Sequence, residues 1–321
     1  MSAIFSWARL SFRLQRLEIL LLTAAVLLAS GLMAYVAFQL DGVAAAYPNC
    51  DFFDPSAACE AAGQSFSDAF GLGELIMGGI LLAAVGVGVV LGVPLVAREV
   101  EQGTAQLAWT IRRSRTRWLI GRVAFAALVA LVLFSLFAVM SDVLAAAMRP
   151  EIDTSQAFWF YGARGPLVVG RGLLAVGAGV LVGAVVGKQL PALLLAILVV
   201  GGLTFASAAV FRSWHETEAV VASTTDLLGE PLGISSGIEL PSGERVAYGS
   251  VGAEFQDENG VFYANQEDFA ARRNPIGREY QLIIPGARYP EIVAREAAIL
   301  AGAGVLLVVG AAAVISRRRP T

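Results

Sequence analysis

Two short patterns in this chain contain residue types that carry out hydrolysis in other proteins. Gly187-Lys188-Gln189 includes the one lysine of the chain, but a nucleotide-binding P-loop needs Ser or Thr directly after Gly-Lys. Gly233-Ile234-Ser235-Ser236-Gly237 matches the G-x-S-x-G pattern of serine hydrolases, which requires a histidine later in the chain. The one histidine, His215, comes before the serine. We therefore expect no ATPase and no hydrolase in this chain, and a Gly/Ser-rich loop at residues 233–237.

The two cysteines, Cys50 and Cys59, suit a disulfide better than a metal site. Structural zinc needs four nitrogen or sulfur ligands, and the chain offers two cysteines and one histidine. Both cysteines fall in a segment that the topology derived below places outside the cytoplasm, where thiols are oxidised. We expect a disulfide here, with two free thiols as the alternative.

A third polar stretch, residues 98–122, lies between two long apolar runs and reads REVEQGTAQLAWTIRRSRTRWLIGR. Its many arginines favour the cytoplasmic side of a membrane. Thr104 can cap a short helix, on which Leu107 and Ile111 share one face. Trp109 suits the level of the lipid headgroups. This pattern predicts a short helix that lies along the cytoplasmic surface of the membrane.

This stretch resembles the cytoplasmic loop between the second and third spans of type-2 ATP-binding cassette (ABC) permease subunits. That loop often reads RE.E.GT..L and then SR.RWL. The matching residues are Arg98, Glu99, Glu101, Gly103, Thr104, Leu107, Ser114, Arg115, Arg117, Trp118 and Leu119. One departure is Arg112-Arg113, which stands where the family often has a proline before SR.RW.

In that family the loop docks on the ATPase subunit, so the resemblance implies a coupling role for part of the stretch. The residues concerned are Arg98, Glu99, Glu101, Gln102, Gly103, Thr104, Leu107 and Arg115. The basic residues from Arg112 to Arg117 would orient the loop against lipid phosphates. An arginine-rich loop that only sets the topology is the alternative.

The resemblance also implies partners and a mechanism. The chain would pair with an ABC ATPase subunit and with a second permease, in a homodimer or a heterodimer, among membrane lipids and without nucleic acid. ATP and Mg would be bound by the ATPase subunit, and no cofactor by this chain. Closure of the ATPase dimer would push on the helix at about 99–112 and open an outward path. Export of drugs, lipids or other apolar compounds, as in multidrug efflux, is the expected activity.

Composition supports a membrane protein, because 57% of the 321 residues are hydrophobic and only 15% are charged. Runs long enough to span a bilayer predict six transmembrane helices. They lie at about 19–40, 75–97, 123–141, 166–187, 189–211 and 297–316. Before the first run, Trp7, Leu10, Leu14 and Leu17 oppose Arg9, Arg13 and Arg16, which predicts an amphipathic surface helix. The expected fold is an all-α polytopic membrane protein.

The distribution of charge predicts the orientation. Six spans put both termini on one side, and the arginines near the N-terminus, in the 98–122 loop and at 317–319 identify that side as the cytoplasm. The first outer loop, 41–74, contains no Lys or Arg. The abundance of Arg, Ala, Gly and Val suggests a high-GC genome. We expect a multi-pass protein in the cell membrane of a bacterium, with both termini in the cytoplasm.

The chain divides into three parts by hydropathy. Residues 1–211 contain the surface helix and spans one to five, 212–290 form a polar segment, and 291–321 hold span six and a basic tail. Short β-type runs and turn signals such as Asn259-Gly260 predict that 212–290 is a small, partly β, extracytoplasmic segment. A membrane-anchored sensor that uses this segment as its binding module is the alternative function. A membrane-embedded enzyme is not supported, since no span contains a cluster of His, Asp, Glu or Cys.

Three further features lie in or near the spans. Gly179, Gly183 and Gly187 form a small-residue stripe that predicts close helix packing. Arg171 either reaches the outer interface or faces a polar pathway inside the bundle. Glu74 either lines an outer gate or marks the interface.

Overall fold

The computed structural model describes residues 2–47, 57–104, 115–222, 230–252 and 255–317 and, for residues 2–15, 57, 58, 115 and 249, the backbone alone. Eight α-helices are described in these ranges, and most of them are long and apolar. They are α1 Ser2–Ala46, α2 Ala57–Gly92, α3 Pro94–Glu101, α4 Arg115–Met148, α5 Pro166–Val186, α6 Gln189–Glu218, α7 Gln266–Ala271 and α8 Tyr289–Arg317.

Six helical stretches in the described part of the chain are long and apolar enough to cross a membrane. They are Arg16–Ala46, Cys59–Glu101, Thr116–Met148, Pro166–Val186, Gln189–Glu218 and Gly286–Arg317. The prediction of six spans is therefore confirmed, and the chain is a multi-pass membrane protein. The predicted amphipathic helix stays a prediction, because α1 runs from Ser2 to Ala46 and its first side chains are not described.

The chain divides into two compact units. The first unit comprises Met1–Glu151, Phe160–Ser207 and Glu291–Thr321, and it contains α1 to α5 with most of α6 and α8. The second unit comprises Ile152–Trp159 and Ala208–Pro290 and contains the β-sheet.

Span α5 is the most buried of the six in the first unit, and glycines let α2 approach it closely. A Cβ atom at Gly88 would lie 2.5 Å from the Ala175 Cβ and 2.8 Å from the Gly172 carbonyl oxygen. Val89, Ala175, Ala178, Ala196 and their neighbours form an apolar core around this contact. Because lipid supplies no hydrophobic driving force between helices, such close backbone packing is what holds spans together.

Several helices extend beyond the apolar runs that predicted them. α2 begins at Ala57 rather than near residue 75, because alanines and an acidic residue in the first turn, Glu60, favour a helix even outside the apolar stretch.

Within the second span, α2 ends at Gly92 and α3 begins at Pro94. Val93 between them keeps helical dihedral angles and donates to the Val89 carbonyl oxygen at 2.9 Å, so the two helices follow one another directly. Pro94 has no N–H, so the helical hydrogen-bond pattern lacks one donor at this point.

The predicted polar loop at 98–122 is helical at both ends. Residues 98–101 are the last part of α3, and 115–122 form the first two turns of α4. Thr104 directs its hydroxyl back to Glu99, 2.9 Å from the carboxylate oxygen. The residues that it was predicted to cap, together with Leu107, Trp109 and Ile111, lie outside the described residues.

The second unit contains a six-stranded antiparallel sheet within the described residues. Its strands are β1 Val220–Val221, β2 Leu232–Glu239, β3 Arg245–Val246, β4 Phe255–Gln256, β5 Val261–Tyr263 and β6 Gly277–Ile284. The order is β3-β2-β6-β5-β4, and β1 pairs with the end of β6 at Ile283 and Leu282. This confirms a small antiparallel sheet late in the chain.

Turn chemistry and pairing define the hairpins of this sheet. The Asp257 carboxylate accepts hydrogen bonds from the N–H groups of Asn259 and Val261, both at 2.9 Å, and Gly260 adopts φ +73°. The predicted Asn259-Gly260 turn thus joins β4 to β5. By contrast, the Gly/Ser-rich loop expected at 233–237 is wrong: these residues lie in β2, which pairs with β6 across a bulge between Gly233 and Ser235. A strand here also lacks the strand-turn-helix geometry of a hydrolase nucleophile.

Candidate functional site

The short helix α3 is the candidate site, because its residues reach four other helices. Pro94, Leu95, Val96 and Ala97 are buried, and the polar end Arg98–Glu101 follows them. The helix ends at Glu101 with Gln102 as its C-cap, and Gly103 then takes φ +71°, a conformation that glycine adopts without strain. Residues 98–104 therefore follow a buried first turn, Pro94–Ala97, and lead into residues 105–114.

Glu99 links α3 to α4. Its Oε1 accepts a hydrogen bond from Arg122 Nη2 at 2.8 Å, and the two side chains are only 15% and 10% exposed. Arg122 also donates to the Leu95 carbonyl oxygen at 3.3 Å and lies over the Trp118 ring, 5.0 Å from its centroid. A guanidinium with several planar partners is well oriented. Glu99 and Arg122 therefore tie together the two helices that flank residues 105–114.

Arg98 links α3 to α1. Its Nη1 donates to Glu18 Oε1 at 3.1 Å, with the side chains 43% and 23% exposed. An ion pair this exposed contributes at most about 1 kcal/mol. It fixes the direction of the Arg98 side chain more than it stabilises the fold.

Glu101 links α3 to α6. Its Oε2 accepts a hydrogen bond from the backbone N–H of Gln189 at 2.8 Å. Gln189 is the first residue of α6, where the N–H groups have no partner within the helix. A carboxylate at this place also interacts favourably with the positive end of the helix dipole.

Two of the predicted packing glycines join α3 and the end of α2 to α5. A Cβ atom at Gly183 would lie 2.7 Å from the Val93 carbonyl oxygen, and one at Gly179 would lie 3.1 Å from the Val93 nitrogen. Gly187, the third residue of the stripe, ends α5 in the left-handed conformation, at φ +69°. It lets the chain turn into α6 after a single intervening residue, Lys188.

The coupling role of the predicted residues stays a prediction, and the structure gives their partners within the chain. The carboxylates of Glu99 and Glu101 and the guanidinium of Arg98 each have a partner inside the chain. Arg122, Glu18 and Gln189 were not predicted as site residues. Arg122 sits at the start of an apolar run, and that position was the only sequence signal for it. Leu107 lies outside the described residues, and Arg115 is described by its backbone alone.

A second polar cluster joins α5 and α8 in the same unit. Glu296 is buried, with 1% exposure, and accepts a hydrogen bond from the Tyr161 hydroxyl. Burial and this bond to a carboxylate raise the pKa of Tyr161 above its ordinary value. Arg171 donates to the Gly162 carbonyl oxygen and interacts electrostatically with Tyr161 and Glu296. The Arg171 charge is therefore held by protein groups.

An apolar groove of about 510 Å³ lies among α4, α5 and α8. The lining residues are Ser135, Ala138, Val139, Asp142, Gly165, Pro166, Val169, Gly170, Ala297, Ala298 and Ala301. Asp142 is the ionisable residue among them, and it accepts a hydrogen bond at 3.1 Å from Arg164, whose side chain is 2% exposed. The groove thus combines small apolar walls with one paired carboxyl group.

Cys50, Cys59 and Glu74 belong to the predicted outer loop and the start of the second span. Cys59 lies in the first turn of α2, but Cys50 falls outside the described residues, so their disulfide stays a prediction. Glu74 is exposed on α2. Among the described residues, no group of three or more His, Cys, Asp or Glu side chains could hold a metal ion.

Comparison with known proteins gives one informative match. A protein-family model described as "ABC-2 membrane transporter related" matches residues 19–212, which is more than half of the chain. The matched range extends from α1 to α6 and includes α3 with the polar residues described above. No curated protein and no solved structure matches the chain.

Proposed function

Since the chain belongs to the ABC-2 membrane transporter related family, we propose that it is the permease subunit of an ABC exporter. A membrane-spanning transporter component agrees with the family and with the six apolar helices. ATP hydrolysis belongs to a separate ATPase chain, which binds ATP and Mg. The family itself implies partnership with such an ATPase.

The observation that carries this proposal is the anchoring of α3. Its polar end contacts α1 through Arg98, α4 through Glu99 and α6 through Glu101. Its first turn packs on α5 at Gly183. A force applied at residues 105–114 would therefore reach four spans through short, specific contacts. A loop that only set the topology would not need this arrangement.

We assign two different tasks to the predicted coupling residues. Leu107 and its neighbours form the surface that docks on the ATPase subunit. Arg98, Glu99 and Glu101 connect that surface to the bundle. Closure of the ATPase dimer pushes on the docking segment and tilts the spans of two permease subunits, which opens a path toward the outside.

The proposed substrates are drugs, lipids or other apolar compounds. The apolar groove of about 510 Å³ among α4, α5 and α8 supports this class, since its walls are alanine, glycine, valine and proline. The proposed location is the cell membrane of a bacterium with both termini in the cytoplasm. In this orientation the sheet of the second unit is extracytoplasmic, and so are Cys50 and Cys59.

Affinity purification in mild detergent tests the proposal, with the co-purifying chains identified and ATP hydrolysis measured. We compare the native chain with Leu107→Glu, which places a charge on the proposed docking surface. Val221→Glu is the matched control, because Val221 is an exposed apolar residue, 49% accessible, of the sheet unit. We expect a stoichiometric ATPase with the native chain and with Val221→Glu, and its loss with Leu107→Glu.

The opposite result is equally informative. If the native chain brings down no ATPase in several detergents, the exporter proposal fails. The sheet unit would then be tested as the binding module of a membrane-anchored sensor. If Leu107→Glu retains the ATPase, the docking surface lies elsewhere.

A further inference from the structure

We infer that Glu101 is a positioning residue that transmits movement of the loop after α3 to the fifth span, α6. The inference rests on the proposed function and deepens it, because it names one hydrogen bond as the connection between the loop and one span. The supporting observation is the hydrogen bond from the Gln189 N–H to the Glu101 carboxylate, at 2.8 Å. The two residues are 88 positions apart in the chain.

The start of α6 presents an N–H group that has no partner within the helix, and Glu101 accepts from it. Gly187 closes α5 by donating its N–H to the Gly183 carbonyl oxygen at 3.0 Å, and α6 begins two residues later. The Lys188 carbonyl oxygen accepts a hydrogen bond from the Ala192 N–H at 3.1 Å, which is the first hydrogen bond of α6. The Gln189 N–H points out of the helix end, and Glu101 is its acceptor. One carboxylate thus satisfies an N–H group and the helix dipole together.

α6 is the least buried of the six spans, with 11% of its most apolar window buried, compared with 72% for α5. Near its start, Ala192, Ala196 and Val200 pack in the apolar core with residues of α2 and α5. These apolar contacts are non-directional. The hydrogen bond from Gln189 to Glu101 adds a directional contact at the same end of the helix.

The other polar residues of α3 serve different helices. Glu99 is directed to Arg122 of α4, and Arg98 to Glu18 of α1. The Glu99 pair is mostly buried, but Glu101 is exposed. An exposed hydrogen bond can break and re-form during a transport cycle, because water replaces the lost partner. We infer that the ion pair between Glu99 and Arg122 stays formed during transport, whereas the hydrogen bond between Glu101 and Gln189 breaks and re-forms.

Hydrogen–deuterium exchange on the complex with its ATPase tests this role, before and after trapping with ATP and vanadate. In Glu101→Ala, the opening equilibrium of the first turn of α6 rises about fivefold, the size expected for loss of a helix cap. Glu101→Gln keeps an oxygen acceptor and gives a smaller rise. The matched control is Glu60→Ala, an exposed glutamate in the first turn of α2.

The decisive readout is the response to nucleotide. In the native complex, trapping changes exchange both in residues 98–104 and in the first turn of α6. In Glu101→Ala, the change at 98–104 persists and the change in α6 is lost, a result that mere destabilisation would not produce. A nucleotide response of α6 that persists in Glu101→Ala while the ATPase stays bound overturns the inference alone. Absence of any ATPase from the native complex removes the proposed function and this inference with it.

Discussion

The Glu99 carboxylate accepts a hydrogen bond from Arg122 at 2.8 Å, and these residues belong to the two helices that flank residues 105–114. The pair joins α3 to α4 on either side of the segment that we propose as the docking element. Movement of α3 is therefore coupled to movement of α4 through this mostly buried ion pair.

Removal of one member of this pair is predicted to destabilise the protein more than removal of both. Arg122→Gln leaves the mostly buried Glu99 carboxylate without its main partner, and we expect a loss of about 3 kcal/mol of unfolding free energy. Glu99→Gln should cost less, since Arg122 keeps the Leu95 carbonyl oxygen and the Trp118 ring. Unfolding in mixed micelles measures both variants and the double variant.

The double variant supplies the control. If the two side chains interact as described, the combined loss is smaller than the sum of the single losses by roughly 1.5–3 kcal/mol. Strict additivity would show that Glu99 and Arg122 are not coupled.

Close packing of α2 on α5 predicts a contrast between two glycines on the same helix. A methyl group at Gly88 would lie 2.5 Å from the Ala175 Cβ, whereas at Gly86 it would meet nothing within 4 Å. Gly88→Ala should lower the unfolding free energy by about 1–3 kcal/mol through overpacking. Gly86→Ala should be neutral or slightly stabilising, since alanine is the better helix former. Thermal unfolding in detergent compares them, and equal behaviour would contradict the packing described here.

Much of the bundle was predictable because hydropathy depends on local composition. Six apolar runs gave six spans, and the Asn259-Gly260 turn joined two strands as its residue types require. These features depend on residues that are near one another in the chain.

The site itself could be predicted only in part, because its contacts join distant residues. The motif drew attention to Glu99 and Glu101, but Arg122 lies 23 residues from Glu99 and Gln189 lies 88 residues from Glu101. A carboxylate has no preferred partner until the fold places a donor beside it. The same reason explains β2: residues 233–237 have weak strand propensity, and pairing with β6 decides their conformation.

The predicted disulfide between Cys50 and Cys59 has a direct test. It would close a short loop, and the chain-entropy model assigns about 2–3 kcal/mol to such a closure. Mass spectrometry of the non-reduced protein should find one peptide pair joined by these residues. Reduction, Cys50→Ala and Cys59→Ala should each lower the melting temperature by a similar amount. Alkylation of both thiols in the non-reduced, denatured protein would refute the disulfide.

The buried charges between α5 and α8 predict that Arg171 is structural. Arg171→Met removes the positive charge that faces the buried Glu296, so the carboxylate stays desolvated with less compensation. We expect a strong loss of folded protein in detergent, partly restored in the double variant Arg171→Met, Glu296→Gln. Well-folded Arg171→Met would contradict a structural role for the Arg171 charge.

A carboxylate in the sheet unit predicts how that unit responds to acid. Glu279 accepts hydrogen bonds from Tyr248 at 2.7 Å and from Gln281 at 3.1 Å, as well as from Gln256. The bond from Tyr248 is the main cause that lowers the pKa of Glu279 below its ordinary value. The ionised form is thus favoured in the folded state. Its contribution to stability is present above the unfolded-state pKa, about 4.3, and is lost as pH falls through the lower folded-state value.

Melting of the full chain, followed by the fluorescence of its tyrosines and tryptophans or by exchange in residues 232–284, measures this effect between pH 3 and 7. We expect protection of β6 to fall below about pH 4.3 in the native chain. Glu279→Gln should be less stable at pH 7 but should lose much of this dependence, because its amide does not titrate. Tyr248→Phe should show a smaller acid response, since the strongest bond to the carboxylate is gone. A native-like acid response in Glu279→Gln would assign the dependence to another carboxylate of the sheet.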